Sequence, residues 1–349
     1  MDIYDRLGVT RRVNGAGTLT RLGGSLMAPE VLDAMREAAG GFVDIAELQA
    51  AASGAIARHT GAEAGLVTSG AAAALTLATA ACLTGMDAAA MDRLPDTDGM
   101  AREVVMCRHH RTGYDHAIRA AGARIREVGF NDRAMGAGVR GVEPWEIAAA
   151  IGSATVAVAY AASPANDPPL AEVAEIAHAH DLPVIVDAAA QLPPKTNLTR
   201  FIADGADLVA YSGGKAIRGP QGTGILAGRR DLIAAAVLQQ LDMDVPVATW
   251  TPPPGLIPHN VLRGIPHHGL GRGFKVSKED IVGLLVALER FVAEDDAAIN
   301  AAHESLLRDL AAAISDLPGL AATLRPAAET GRVPVLELHL DPVTAGIDA

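Results

Sequence analysis

The sequence predicts an α/β fold built on a seven-stranded, mainly parallel sheet in a large domain, followed by a small α+β C-terminal domain. Three observations predict it. Between about residues 62 and 228, short β-branched runs alternate with alanine-rich stretches of helical spacing, the form that repeated βαβ units take. The stretch at 170–181 has apolar residues at helical spacing and stops just before Pro183, where a helix is expected to end. Half of the 349 residues are hydrophobic and 20% are charged, which suits a large domain plus a smaller one, each with its own core.

The elements follow in order. Residues 1–60 form an N-terminal segment, 61–275 the large domain, and 276–349 a linking helix with the small domain. Strands are expected at 64–69, 103–107, 123–129, 155–160, 183–188, 207–212 and 222–228, with helices at 70–84, 113–121, 143–151 and 170–181. Residues 86–101 carry acidic and turn-forming residues without a sustained period and read as a surface excursion. Residues 244–275, rich in Pro, Gly and His, read as a long loop of the kind that often carries function. The stretch 277–314 reads as one long helix, with Ser277 as N-cap and Glu279 in the first turn. Two strand-like runs, 320–326 and 333–341, follow it.

Composition removes several functions. A net charge of −12 without a compensating Lys/Arg run argues against a nucleic-acid partner or an anionic membrane, and aromatics at 3% leave few rings for base stacking. Two cysteines, Cys82 and Cys107, are too few for a disulfide framework or a cysteine metal site. With no signal-peptide pattern at the N-terminus, a cytoplasmic protein is expected.

The chemistry concentrates at strand ends. In ADLVAYSGGKAIRGPQGTG (206–224) a lysine, Lys215, stands just beyond a strand in a Gly-rich loop. Ligands of α/β sheets bind outside such strand ends, where flexible backbone approaches a phosphate. A lysine that forms a Schiff base needs a partly desolvated pocket, so that its amine is neutral often enough to attack an aldehyde. A solvated loop lysine is the plain alternative. One strand earlier, the apolar run of PVIVDAAAQ (183–191) ends in Asp187. A carboxylate at a buried strand end needs a partner. Pyridoxal 5'-phosphate (PLP) supplies one, because its pyridine nitrogen must stay protonated for the ring to act as an electron sink. An Asp capping the next turn is the alternative. Ala189 is small enough to let a ring lie against the strand end.

LVTSGAAAAL (66–75) reads as strand, tight turn and helix N-terminus, so Ser69, Gly70 and Ala71 are candidates to hold the cofactor phosphate, with Ser212 adding a hydroxyl. A plain strand-to-helix turn would read similarly. After the strand at 103–107 stand His109 and His110, of which His110 is the candidate to stack on the PLP ring. Adjacent imidazoles point in different directions and no ligand set accompanies them, so no metal is expected.

Taken together, TSGAAAA, HHRTGYDHAIRAAGA, VIVDAAAQLPP and DLVAYSGGKAIRGPQGTG resemble the fold-type I PLP-dependent enzymes. Within them the chain is similar to the branch of selenocysteine synthase (seryl-tRNA selenium transferase) and D-glucosaminate-6-phosphate ammonia lyase. RRVNGAGTLTRLGGSLM (11–27) and GLGRGFKVSKEDIVGLL (269–285) extend the likeness over roughly residues 5–300. The lysine loop with its upstream Asp is the specific part of it.

The resemblance implies a homodimer or higher even oligomer with its active site at the subunit interface. Thr223 then becomes a candidate to touch the neighbour's cofactor phosphate. Arg272 and Lys275 become candidates to hold a substrate carboxylate or phosphate, and Asn14 and Thr18 are pocket candidates on family grounds alone. Against the family pattern, the small domain looks shortened, and the N-terminal tRNA-binding extension of selenocysteine synthase is missing, which argues against seryl-tRNA. The expected activity is that of a lyase acting on a small amino acid or amino sugar acid, phosphorylated or not. Lys215 is displaced by the substrate amine and then takes the Cα proton. Loss of a β-hydroxyl leaves an enamine that hydrolyses to a 2-keto acid and ammonia. Racemase, aldolase, aminotransferase and selenium-transfer chemistry stay open, as does a non-catalytic PLP-fold binding protein.

Overall fold

The computed structural model describes residues 2–130, 141–164, 167–242, 244, 246–258, 260, 262 and 264–346. All seven expected strands of the large domain form one sheet: β1 (Ala64–Thr68), β2 (Glu103–Cys107), β3 (Arg124–Val128), β4 (Thr155–Ala161), β5 (Val184–Asp187), β6 (Leu208–Ser212) and β7 (Gly224–Gly228). They lie in the order β1-β7-β6-β5-β4-β2-β3. Pairing is parallel from β3 through β6, and β7 runs antiparallel to both neighbours. Both faces of the sheet are covered. Alternate residues of each strand enter one of two cores, so that in β5 Ile185 joins the core under the helices Gly70–Thr84 and Arg230–Gln240, while Val184 and Val186 join the opposite one. A strand buried on both faces is apolar throughout, which is why these runs read so clearly.

The outermost strand, β1, needs its free backbone edge satisfied. The helix Ile45–Thr60 supplies this from its buried face. Gln49 accepts from the Val67 N–H at 3.1 Å and donates to the Val67 carbonyl at 2.9 Å, and Ser53 accepts from Gly65 N–H at 3.0 Å. Gly65 is required there, because a Cβ would sit 2.3 Å from the Ile56 side chain.

The stretch expected as a single helix over 277–314 is two helices, Lys278–Ala293 and Asp296–Ala313. Asp295 breaks it by acting as N-cap of the second, its carboxylate accepting from Ala297 and Ala298 N–H. The small domain is this second helix packed on a two-stranded antiparallel hairpin, β8 (Leu320–Arg325) and β9 (Val335–Leu340). The 86–101 excursion holds one short helix, Ala88–Arg93. Among the described residues, no helix is long and apolar enough to cross a membrane.

The loop after β2 carries His110, the histidine expected to stack on the cofactor ring. His110 is buried, its ring edge-on to Tyr160 at 4.6 Å and its Nε2 3.2 Å from the Asp167 carbonyl. Its Nδ1 is buried without a hydrogen-bond partner among the described residues. Protonation would leave a second buried N–H without an acceptor, and burial together with the neighbouring His109 holds the pKa down to about 4.

Two predictions follow from this packing. Because unfolded His110 binds a proton near its ordinary pKa of about 6.5, its contribution is intact above that pH and is lost as pH falls toward 4. Chemical denaturation between pH 7 and 4 should show a loss of about 2–3 kcal/mol, and His110→Phe should flatten that slope. Replacing Gln49 by Leu leaves both backbone groups of Val67 bare, and thermal unfolding should show a loss of about 2 kcal/mol or more.

Candidate active site

The site is assembled at the ends of β5 and β6, which are neighbours in the sheet with Asp187 level with Ala210. Asp187 ends β5. One carboxylate oxygen accepts from the Ala189 N–H at 3.0 Å, and Asp187 lines a small cavity with Leu75, Thr112, Tyr160, Ala161 and Ile185. From the loop after β2, it is Thr112 and Asp115 that reach this cavity, and His110 does not line it. Burial raises the Asp187 pKa above the ordinary carboxylate value; the Ala189 N–H and the Lys215 charge pull it back.

Lys215 sits in the turn after β6. This turn is held without room for side chains: a Cβ on Gly213 would meet the Thr223 hydroxyl at 2.2 Å, and one on Gly214 would meet Gln221 backbone at 2.4 Å. The N-terminal segment seals it from outside. Ser25 N–H donates to the Gly214 carbonyl at 3.1 Å, and Ser25 Oγ donates to the Lys215 carbonyl at 2.7 Å. The side chain of Lys215 is half-buried. Burial lowers its pKa, the Asp187 carboxylate opposes this, and the Arg332 guanidinium adds to the lowering. Each of the two charges thus acts on the other.

The residues expected to hold a phosphate stand at the start of the helix Gly70–Thr84 and the facing strand ends. Gly70 opens the helix Gly70–Thr84 with φ +89°, a conformation that favours glycine. Across the sheet, Thr68 of β1 and Ser212 of β6 both stand level with Gly224 of β7. A Cβ on Gly224 would lie 2.4 Å from Gly70 and 2.7 Å from the Ala71 N atom, so the strand ends and the helix start form one close-packed floor. Ser69 is the N-cap but makes no capping bond, donating instead to the Phe274 carbonyl at 3.0 Å. Ser69, Gly70, Ala71 and Ser212 are thus gathered in one place, and the first-turn N–H groups there suit an anion.

Other expected residues are placed elsewhere. Thr223 is buried within its own chain, its hydroxyl donating to the Pro220 carbonyl at 2.7 Å. Arg272 is paired with Asp242 at 2.8 Å. Lys275 lines a separate groove with Phe42, Val43 and Ser277. Asn14 makes a local turn with Ala16 and Gly17, and both it and Thr18 are exposed. Reasoning from the sequence missed Ser25, Thr112, Asp115 and Arg332. Ser25, Thr112 and Asp115 stand in stretches that carry the family likeness but were not singled out there, Arg332 stands in none, and it is the tertiary fold that brings them to the lysine turn and the Asp187 strand end.

PLP fits this donor set. Its cationic ring nitrogen would give the buried Asp187 carboxylate, short of partners, a second one; its aldehyde would meet a lysine whose amine is held below its ordinary pKa; its phosphate would meet the floor at Gly70 and Gly224.

Comparison with known proteins agrees with the geometry. Residues 116–242 match the aminotransferase class-V family. D-glucosaminate-6-phosphate ammonia lyase of Salmonella typhimurium is 35% identical over 93% of this chain and 78% of its own length. The solved structure of a D-glucosaminate-6-phosphate ammonia-lyase superposes with a TM-score of 0.80 at 33% identity, covering 99% of this chain and 84% of that one. A 5'-C-glycyluridine monooxygenase-decarboxylase of a Streptomyces species is 32% identical over 99% of this chain and 79% of its own. An L-seryl-tRNA(Sec) selenium transferase of Desulfovibrio desulfuricans is 29% identical over 63% of this chain and 48% of its own. With the lysine, the acid and the anion floor gathered on this sheet, the chain belongs to the fold-type I PLP-dependent enzymes, in the branch that holds D-glucosaminate-6-phosphate ammonia lyase and the seryl-tRNA selenium transferases.

Proposed function

We propose that this enzyme is a lyase that dehydrates and deaminates an amino sugar acid or small amino acid, phosphorylated in the manner of D-glucosaminate 6-phosphate, to a 2-keto acid and ammonia. The observation that carries this reading is the Asp187–Lys215 pair on adjacent strand ends, in a chain 35% identical to such a lyase over most of its length.

Bound PLP supplies the electron sink that makes the substrate Cα–H acidic. The protein supplies the rest. Lys215 Nζ, held below its ordinary pKa by burial and by Arg332, accepts the Cα proton. Asp187, partly buried at the end of β5, would hold the positive ring nitrogen of the bound cofactor. The Gly70–Ala71 backbone would hold the phosphate end, and Leu75, Ala161 and Ile185 give the cavity beside the acid an apolar lining. Lys215 returns that proton to the departing β-hydroxyl, which leaves as water, and the released enamine tautomerises to an imine that takes up one water molecule to give the keto acid and ammonia.

The working form is a homodimer or higher even oligomer in the cytoplasm. Val13, Leu26 and Phe42 support this, since all three N-terminal side chains are almost fully exposed in the single chain and an apolar partner surface would cover them. Cys82 and Cys107, both unpaired, suit a reducing compartment.

A second reading has its own support in the likeness to the monooxygenase-decarboxylase, which spans nearly the whole chain. The two readings part on products. The PLP-loaded protein should release ammonia and a 2-keto acid from D-glucosaminate 6-phosphate or a related acid; oxygen uptake with carbon dioxide release from a glycyl-type amino acid would replace the first reading with the second. A visible absorption band should be present in the wild type and absent in Lys215→Ala, with turnover reduced by roughly 10²–10⁴-fold or more. A wild type that stays colourless with PLP would overturn both readings.

A further inference from the structure

Arg332 stands in the connection between β8 and β9, far in sequence from either half of the site, and reaches the turn that follows Asp187. Its Nε donates to the Pro193 carbonyl at 3.3 Å, and its Nη2 donates to the Leu192 carbonyl at 3.0 Å and to the Ala190 carbonyl. Three carbonyls from one turn thus converge on one guanidinium, a fork that lysine cannot reproduce. The other end of the small domain is fastened to the same stretch. Lys195 Nζ donates to the Val292 and Glu294 carbonyls, its N–H donates to Asp296 at 3.1 Å, and Glu294 also pairs with Arg218 of the lysine turn. The small domain is therefore pinned at both ends to the segment linking Asp187 to the lysine loop.

Arg332 shows no ion pair among the described residues, since only carbonyl dipoles meet it, so its positive charge stays uncompensated. Two charged groups act on the Lys215 amine: Asp187 from β5 and Arg332 from the hairpin. Arg218, on the lysine turn itself, is taken up by Glu294.

We propose that Arg332 is a positioning residue of the active site with two separable parts, a guanidinium fork that clamps the small-domain hairpin onto the turn after Asp187 and a positive charge that acts on Lys215. This rests on the reading of Lys215 as the PLP lysine only for its purpose, since clamp and charge belong to the polypeptide alone. A cation beside an amine disfavours the protonated form, so the Arg332 charge shifts Lys215 toward the neutral amine that acts as nucleophile and base.

The test separates charge from clamp. In the full-length chain stripped of PLP, the pH midpoint for acetylation of Lys215 by acetic anhydride, followed on its peptide by mass spectrometry, should rise by about half to one pH unit in Arg332→Gln. In Arg332→Lys, which keeps the charge and loses the fork, it should stay near the wild-type value. Hydrogen exchange across residues 188–194 should quicken in both variants. Should R332Q fail to fold, R332M takes its place as the neutral variant. An unmoved midpoint in a folded neutral variant, an equal rise in R332K, or unchanged exchange at 188–194 would each overturn the proposal. In the PLP-loaded protein the pH midpoint of the visible band should move in the same direction, and absence of any such band would count against the PLP reading alone.

Discussion

A carboxylate and an amine taken out of water within reach of each other are the constraint around which this chain is arranged. Burial pushes the two groups in opposite directions, the acid toward holding its proton and the amine toward losing it. Left to themselves they would settle into a simple ion pair or a neutral pair, and neither would serve a cofactor. What stops this is the supporting geometry. Asp187 is fixed by the Ala189 N–H at the close of a strand buried on both faces. The lysine turn is compressed between Gly213, Gly214 and the Gln221–Thr223 backbone and held from outside by Ser25, so its backbone is set before any ligand arrives.

The same economy of volume explains the floor on which a phosphate would rest. Thr68, Gly224 and Ser212 stand in one row across three strands, and Gly224 touches the first turn of the helix Gly70–Thr84. Any larger residue at position 224 would push the helix start away. The antiparallel insertion of β7 between β1 and β6 is what brings that helix start level with the lysine strand. The sheet must then end on β1, and the buried Gln49 and Ser53 satisfy the backbone left open there.

How much of this was legible follows from what each feature asks of the sequence. The seven strands were readable because strands covered on both faces are continuous apolar runs, and each ended within about two residues of its expected bounds. Lys215 and Asp187 were readable because a charged residue ending such a run is hard to explain otherwise. The helix break at Glu294–Asp295 was hidden, since AEDDAA is as good a helix interior as it is a cap until Lys195 draws the Val292 and Glu294 carbonyls aside. His110 was placed against a ring by its position at a strand end, whereas the choice of face belonged to Tyr160 and the Asp167 carbonyl. Arg332 and Ser25 were beyond reach, for each acts through backbone carbonyls more than 130 residues away, and backbone carbonyls carry no sequence signature.

The division of labour between the two domains bears on how one site can serve unlike reactions among its relatives. The sheet supplies what every PLP enzyme of this kind needs: an acid, an amine and an anion floor, all on strand ends whose positions follow from the large core. Which bond of a substrate stands perpendicular to the ring is decided by groups that grip the substrate itself. Of the residues expected to do this, Arg272 is paired with Asp242, and Lys275, Asn14 and Thr18 lie away from the cavity beside Asp187. The N-terminal segment that carries Asn14 is joined to the lysine turn through Ser25 and exposes apolar side chains to whatever packs against it.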